Sequence, residues 1–182
     1  MRKSGPAGGL KLLLTRQKIA RRVRAMAGEI NKDFRGRPLH VIGILKGSWV
    51  FMADLVRHLE LDVTVDFLGF ASYGAGSVPS GAIRITKDLE TSIEGLDVLV
   101  VEDILDTGGT FKHLERFLAA HHPRSLKVVA LLNKSSRRIE PVRADYIGFE
   151  IPCVFVVGYG LDFGQRYRNL PDIHFLRPSP RK

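Results

Sequence analysis

A cluster of acids, glycines and threonines in the middle of the chain has the residue types needed to bind a charged ligand. Residues 98–110 have the sequence Val-Leu-Val-Val-Glu-Asp-Ile-Leu-Asp-Thr-Gly-Gly-Thr. The aliphatic residues predict a buried strand, which we expect to end in two adjacent acids, Glu102 and Asp103. The turn before the next predicted helix contains Asp106, Thr107, Gly108, Gly109 and Thr110.

This combination of residues suits a ligand that carries both a phosphate and a sugar. Glycines let backbone N–H groups approach a phosphate closely, and a helix N-terminus adds positive potential. The acids would repel a lone phosphate, but carboxylates accept hydrogen bonds from sugar hydroxyls, so a ribose 5-phosphate fits. The alternative is an acidic cap that stabilises the helix dipole. A cap explains Asp106 and Thr107 but does not explain Glu102 and Asp103.

Helices and apolar strands alternate along the chain. Thr15 is the expected N-cap of the first helix, and helices are predicted over about 16–33, 49–59 and 109–120. Strands are predicted at 40–45, 63–70, 83–86, 97–101, 126–132, 146–149 and 155–157. This alternation favours an α/β fold with a mostly parallel sheet covered on both faces. The carboxyl ends of such strands form the edge where ligands bind.

Composition and length limit the possible classes of protein. The 182 residues, of which 45% are apolar and 26% charged, suit one folded domain over 10–182 after a flexible leader over 1–9. The single cysteine, Cys153, excludes an intramolecular disulfide and a cysteine-cluster zinc site, and it fits the cytoplasm. Since no apolar run approaches about 18 residues, we expect no membrane span.

The positive charge is concentrated at the start of the chain. Residues 1–37 contain eleven Lys and Arg against two acids, which accounts for the net charge of +9. Such a segment could attract nucleic acid, but no aromatic residues interleave the basic ones, so we favour a solvated helix face and expect no nucleic-acid partner. The six histidines show no metal-ligand spacing and are interpreted as surface or helix-end residues.

The segment at 98–110 resembles the motif by which type I phosphoribosyltransferases bind phosphoribosyl pyrophosphate (PRPP). Further segments resemble the hypoxanthine-guanine branch of that family, and the match runs in order from about residue 12 to residue 176. These segments are Leu-Lys-Gly-Ser-Trp at 45–49, Ser72-Tyr73, Leu-Leu-Asn-Lys at 131–134, residues 148–152, residues 155–162 and Arg-Tyr-Arg-Asn-Leu at 166–170. The resemblance implies the type I fold, with a central mostly parallel sheet, flanking helices, a small hood and a flexible lid loop.

On the PRPP side, the resemblance assigns a role to each matched residue. Glu102 and Asp103 would bind the ribose 2′- and 3′-hydroxyls, and the turn at 106–110 would hold the 5′-phosphate. Lys46 and Gly47 would contact pyrophosphate through their backbone, in a loop where relatives often have a cis peptide. Arg168 would bind pyrophosphate directly.

On the purine side, Asp106 would be the general base near N7 and Lys134 would donate to the O6 atom of a 6-oxopurine. Phe155 would stack on the base and the backbone of Val156 would face its exocyclic position. Asp162 would lie beside the base and hold Mg²⁺, with Glu102 and Asp103 as further candidate oxygen ligands. The resemblance also implies a homo-oligomer, a dimer or tetramer.

Several alternatives remain open at this level. By pattern alone, Lys134 could belong to a solvated basic turn, Phe155 could be core, and Asp162 and Arg168 could form a surface ion pair. The glycine-rich stretch at 71–82, which begins with Ser72 and Tyr73, is expected to close over the site as a lid. Two rival functions remain. One is transfer of the phosphoribosyl group to xanthine or a pyrimidine, and the other is that of a regulator that binds nucleic acid. Gly109 and the pair at 153–154 depart from the usual pattern of the family.

Overall fold

The computed structural model describes residues 9–72, 83–137 and 142–176. Most of the predicted leader and lid, Tyr73 included, therefore lies outside the described residues. The nine strands of the described part are β1 (Leu10–Leu14), β2 (Leu39–Leu45), β3 (Val63–Ser72), β4 (Ile83–Lys87), β5 (Asp97–Leu105), β6 (Ser125–Asn133), β7 (Tyr146–Glu150), β8 (Val156–Val157) and β9 (Ile173–Leu176). The helices are α1 (Arg16–Asp33), α2 (Trp49–Val56) and α3 (Gly109–Ala119), with a short 3₁₀ turn at Ser135–Arg137.

Six strands form the main sheet in the order β4-β3-β2-β5-β6-β7. All neighbouring pairs are parallel except β3 and β4, which are antiparallel at one edge. A second, three-stranded antiparallel sheet has the order β1-β9-β8 and corresponds to the expected hood. The predicted α/β fold with a central, mostly parallel sheet and a small hood is confirmed.

Two apolar cores cover the two faces of the main sheet. Side chains of α1 and α2 pack on one face and those of α3 on the other. Along β5 the buried residues alternate, since Leu99 and Val101 join the first core while Val98 and Val100 join the second. This alternation explains why the strand is almost continuously apolar in sequence.

The first helix follows the sequence prediction closely. Thr15 caps it, because its hydroxyl accepts a hydrogen bond of 3.3 Å from the backbone N–H of Lys18. The second helix is shorter than predicted and ends at Val56 instead of residue 59. Its last turn tightens, with the N–H groups of His58 and Leu59 donating to carbonyls only three residues earlier.

Two sequence-based expectations were wrong, and two strands were missed. Strand β5 continues through Glu102 and Asp103, because Ile104 and Leu105 still pair with β6. His40 is not a surface residue: it is 5% exposed inside β2, where its Nδ1 lies 2.8 Å from the hydroxyl of Thr64. Strands β1 and β9 were not predicted, because they pair with each other across more than 150 residues and each is short.

Within the ranges described, none of the helices combines the length and apolar character that a membrane crossing requires.

Candidate active site

A cleft of about 480 Å³ opens where β2, β5 and β6 end, beside the start of β8. It brings together ten residues that the sequence analysis selected: Lys46, Gly47, Glu102, Asp103, Asp106, Lys134, Phe155, Val156, Asp162 and Arg168. The carboxyl ends of parallel strands meet at one edge, and this is why residues so far apart in sequence share one cleft.

A smaller cavity of about 250 Å³ adjoins the cleft and contains the glycine-rich turn. Both cavities are lined by Glu102 and Asp106, while Thr107 and Gly108 line only the smaller one. Gly108 precedes α3 and has a φ of +90°, a conformation that favours glycine. Gly109 is less constrained, since a Cβ there would meet no atom within 4 Å. The N–H groups at the start of α3, which have no partner within the helix, therefore border a cavity that can hold a phosphate.

Burial and nearby charges shift the pKa values of the two acids of β5. Burial raises the pKa of Glu102, and the charge of the adjacent Asp103 raises it further. Burial also raises the pKa of Asp103 to about 6, although the backbone N–H of Ile104 and the charge of Arg168 act in the opposite direction. The N–H of Ile104 donates to the Asp103 carboxylate over 2.8 Å. Both carboxylates are thus poorly hydrated acceptors facing a cleft.

The loop between β2 and α2 lies against Asp103. The peptide bond between Leu45 and Lys46 is cis, as the resemblance implied. A side chain at Gly47 would overlap the Asp103 carboxylate, so only glycine allows this approach. The buried hydroxyl of Ser48 donates to the carbonyl of Ile44 over 2.6 Å and holds the loop in a tight turn.

Lys134 and Asp106 meet across the cleft. Lys134 is only 6% exposed, so it does not belong to a solvated turn. Its Nζ lies 3.3 Å from Oδ2 of Asp106, and its backbone N–H donates to the carbonyl of Leu105. Asp106, the general base that the resemblance implies, is therefore paired with a cation. The pair combines a donor for a carbonyl oxygen with a carboxylate that can accept a proton.

The segment after β7 supplies the apolar side of the cleft. Phe155 is 53% exposed, so the alternative that it is a core residue is excluded. The next residue, Val156, is buried at the start of β8. Cys153 is an exposed free thiol that also lines the cleft.

Asp162 and Arg168 both line the cleft and form an ion pair. The two side chains are 2.8 Å apart and only partly exposed, so the predicted contact forms inside the cleft rather than on an open surface. Arg168 also donates to the carbonyl of Gly160 over 2.7 Å, and the N–H of Gln165 donates to Asp162 over 2.7 Å. These contacts fix both side chains in one turn.

The carboxylates of the cleft fit a divalent cation only in part. In the described ranges no three His, Cys, Asp or Glu side chains are grouped closely enough to hold a metal ion by themselves. Asp103 and Asp162 are nonetheless near enough for the charge of one to raise the pKa of the other. Oxygen donors of this kind suit Mg²⁺, which usually keeps water and substrate phosphates as its remaining ligands.

Six further residues line the cleft without having been selected from the sequence: Ile44, Leu45, Ile104, Cys153, Val154 and Leu161. Each is next to, or two positions from, a selected residue, so proximity to a motif was the available signal. Of the selected residues outside the cleft, Ser72 is the last residue of β3, and Thr110 lies in the first turn of α3.

Comparisons with known proteins agree with this geometry. Residues 10–164 match the family model of the phosphoribosyl transferase domain. A hypoxanthine-guanine phosphoribosyltransferase of Bacillus subtilis is 43% identical over 93% of this chain and 94% of its own length. One from Staphylococcus aureus is 44% identical over the same shares. A crystal structure of such an enzyme from Bacillus anthracis superposes with a TM-score of 0.89 and 42% identity, covering 93% of this chain and 100% of that one.

Proposed function

Because this chain belongs to the phosphoribosyltransferase family, we propose that it transfers the 5-phosphoribosyl group of PRPP to hypoxanthine and guanine. The products are IMP or GMP and pyrophosphate. The observation that carries the proposal is the meeting of a buried Lys134, paired with Asp106, and an exposed Phe155 in the cleft that also contains the β5 acids.

On the PRPP side, each group in the cleft matches one part of the substrate. Glu102 and Asp103 accept hydrogen bonds from the ribose hydroxyls, which replace the water that burial removes. The turn at 106–110 binds the 5′-phosphate through its backbone N–H groups. The loop at 46–47 and the guanidinium of Arg168 bind pyrophosphate, which Arg168 can contact with two N–H groups.

On the purine side, Phe155 stacks on the base while Lys134 donates to O6. The ammonium group has three protons, so the contact with Asp106 leaves donors for the base. Adenine has an amino group where a 6-oxopurine has its carbonyl oxygen, so it offers the buried Lys134 no acceptor at that position. This difference favours hypoxanthine and guanine over adenine.

The reaction exchanges one bond at C1′ for another. The N9 atom of the purine forms a bond to C1′ as the bond from C1′ to the pyrophosphate oxygen breaks. The proton of N7 passes to Asp106, which is held beside the base by Lys134. The carboxylates of β5 stabilise the positive charge that develops on the ribose ring.

Asp162, with Asp103 and Glu102 nearby, would hold Mg²⁺ beside the pyrophosphate. The cation would neutralise charge on the leaving group when bound. Arg168 acts in the same direction, and its contact with Asp162 keeps the guanidinium in the cleft.

We also propose that the chain forms a homo-oligomer. A groove of about 660 Å³ between α1, α2 and the segment at 168–171 has a largely apolar lining, and Trp49 on its border is 49% exposed. A second copy that docked on this groove would cover the exposed Trp49. Sedimentation velocity of the purified chain would test this, and a monomer at micromolar concentration would contradict it.

The proposed function is tested by replacing Asp106 with Asn and measuring initial rates with hypoxanthine, PRPP and Mg²⁺. The amide keeps the shape of the side chain but loses the basic carboxylate, so kcat should fall about 10²- to 10⁴-fold. The KM for PRPP should change less than about twofold, because the turn binds phosphate through backbone groups.

A matched control is Glu115→Gln, which makes the same chemical change at an exposed position of α3 and should leave kcat unchanged. Equal losses in kcat and in PRPP binding for Asp106→Asn would contradict the assignment of the base. Rates with hypoxanthine, guanine, xanthine, adenine and uracil in turn would separate the rival substrates, and no rate with any of them would favour a binding protein.

A further inference from the structure

Phe155, which lines the cleft, contacts a second exposed phenylalanine, Phe163. Phe155 is 53% exposed and Phe163 is 42% exposed, whereas Phe34 and Phe51 are fully buried. The two ring centroids are 5.6 Å apart and the ring planes are at 89°, an edge-to-face arrangement. The pair lies outside both apolar cores, and one of its members lines the cleft.

The backbone on both sides of the pair is fixed. Phe163 and Arg166 exchange backbone hydrogen bonds of 3.1 and 3.2 Å, which close a tight turn. On the other side, the carbonyl of Phe155 accepts a 3.0 Å hydrogen bond from the N–H of Leu176 at the end of β9. The ring of Phe155 itself is mostly exposed, and Phe163 is its one aromatic partner in the described ranges.

We propose that Phe163 is a positioning residue that fixes the ring of Phe155 for stacking on the purine. This inference rests on the stacking role proposed for Phe155. An isolated, half-exposed ring samples several rotamers, and holding it in one of them on binding costs conformational entropy. The edge-to-face contact restricts the ring before the purine binds, while about half of the Phe155 residue stays exposed.

Two substitutions at Phe163 separate the ring contact from general apolar bulk. Phe163→Leu keeps an apolar side chain but removes the ring, whereas Phe163→Tyr keeps the ring. An aromatic pair of this geometry corresponds to about a three- to tenfold change in a binding constant. We therefore expect Phe163→Leu to raise the KM for hypoxanthine about three- to tenfold, with the KM for PRPP within about twofold of the original. Phe163→Tyr should restore the KM for hypoxanthine.

A double-mutant cycle with Phe155→Leu tests whether Phe163 acts through Phe155. If it does, Phe163→Leu should have almost no further effect on the KM for hypoxanthine once Phe155 is already leucine. Additive effects would overturn the inference, because Phe163 would then act independently of Phe155. A raised KM for PRPP with an unchanged KM for hypoxanthine would also overturn it, since Phe163 would act through the neighbouring Asp162.

The same cycle distinguishes this inference from the proposed function. If Phe155→Leu alone leaves the KM for every purine unchanged, the stacking role of Phe155 fails and the inference falls with it. If Phe155→Leu raises that KM but Phe163→Leu does not, the stacking role stands and only the inference is wrong. Thermal unfolding of each variant verifies that the fold is kept, and both side chains are exposed enough for this to be expected.

Discussion

A methyl group added at Gly160 should displace the loop that contains Gly47. Gly160 has a φ of +97°, and a Cβ built on it would lie 2.2 Å from the carbonyl oxygen of Gly47. Real Cβ atoms essentially never approach another atom closer than 3.0 Å, so the two segments must separate by at least the difference, 0.8 Å. Both are backbone segments, and no side chain can rotate to relieve the overlap.

The size of the effect follows from this displacement. A shift near 1 Å in a group that positions a reacting substrate costs about 10²-fold in rate. Since the loop at 46–47 is proposed to bind pyrophosphate, Gly160→Ala should lower kcat/KM for PRPP about 100-fold. The left-handed backbone of Gly160 is also unfavourable for alanine, which should lower the free energy of unfolding by about 1–2 kcal/mol.

Gly164 offers a matched control in the next turn of the chain. Its φ is +58°, so Gly164→Ala also places an alanine in the left-handed region, but a Cβ there would meet nothing within 4 Å. The assay is a PRPP titration by spectrophotometric initial rates for both variants, with urea unfolding to measure stability. Some loss of stability is expected in both variants, but a large loss of activity is expected only in Gly160→Ala. Equal activities in the two variants, or a wild-type KM for PRPP in Gly160→Ala, would refute the reasoning.

Two other predictions concern pH and the free thiol. Burial lowers the pKa of His40, and the charge of Asp66 opposes this shift only in part. Below about pH 6.5 the unfolded chain therefore binds more protons than the folded one, and the free energy of unfolding falls as pH decreases. His40→Asn keeps a hydrogen-bond partner for Thr64 and should reduce the pH dependence of the unfolding free energy between about pH 6.5 and 5, measured by urea unfolding. An unchanged pH dependence would show that other groups cause it. Alkylation of Cys153 with a maleimide should abolish activity by filling the cleft. Bound IMP should protect the thiol, and the Cys153→Ser variant should resist inactivation. Full modification without loss of activity would place the thiol away from the bound purine.

Local sequence determined the elements that depend on neighbouring residues. The Thr15 cap and the buried positions Ile19, Val23, Met26 and Ile30 specify α1, because helix periodicity and capping involve residues only three or four positions apart. The order of a strand, a glycine-rich turn and a helix at 97–119 could be predicted for the same reason, and so could the α/β class. The resemblance then allowed ten residues of one cleft to be selected before any distance was known.

The tertiary structure alone decided which of these residues meet and which are buried. The contact between Lys134 and Asp106, 28 residues apart, depends on the register of β5 against β6, which no local pattern encodes. The burial of His40 and the pairing of β1 with β9 likewise depend on segments remote in the chain. Backbone propensity and periodicity act within a few residues, whereas burial and charge pairing depend on what packs against a side chain, and that is fixed only when the whole sheet has formed.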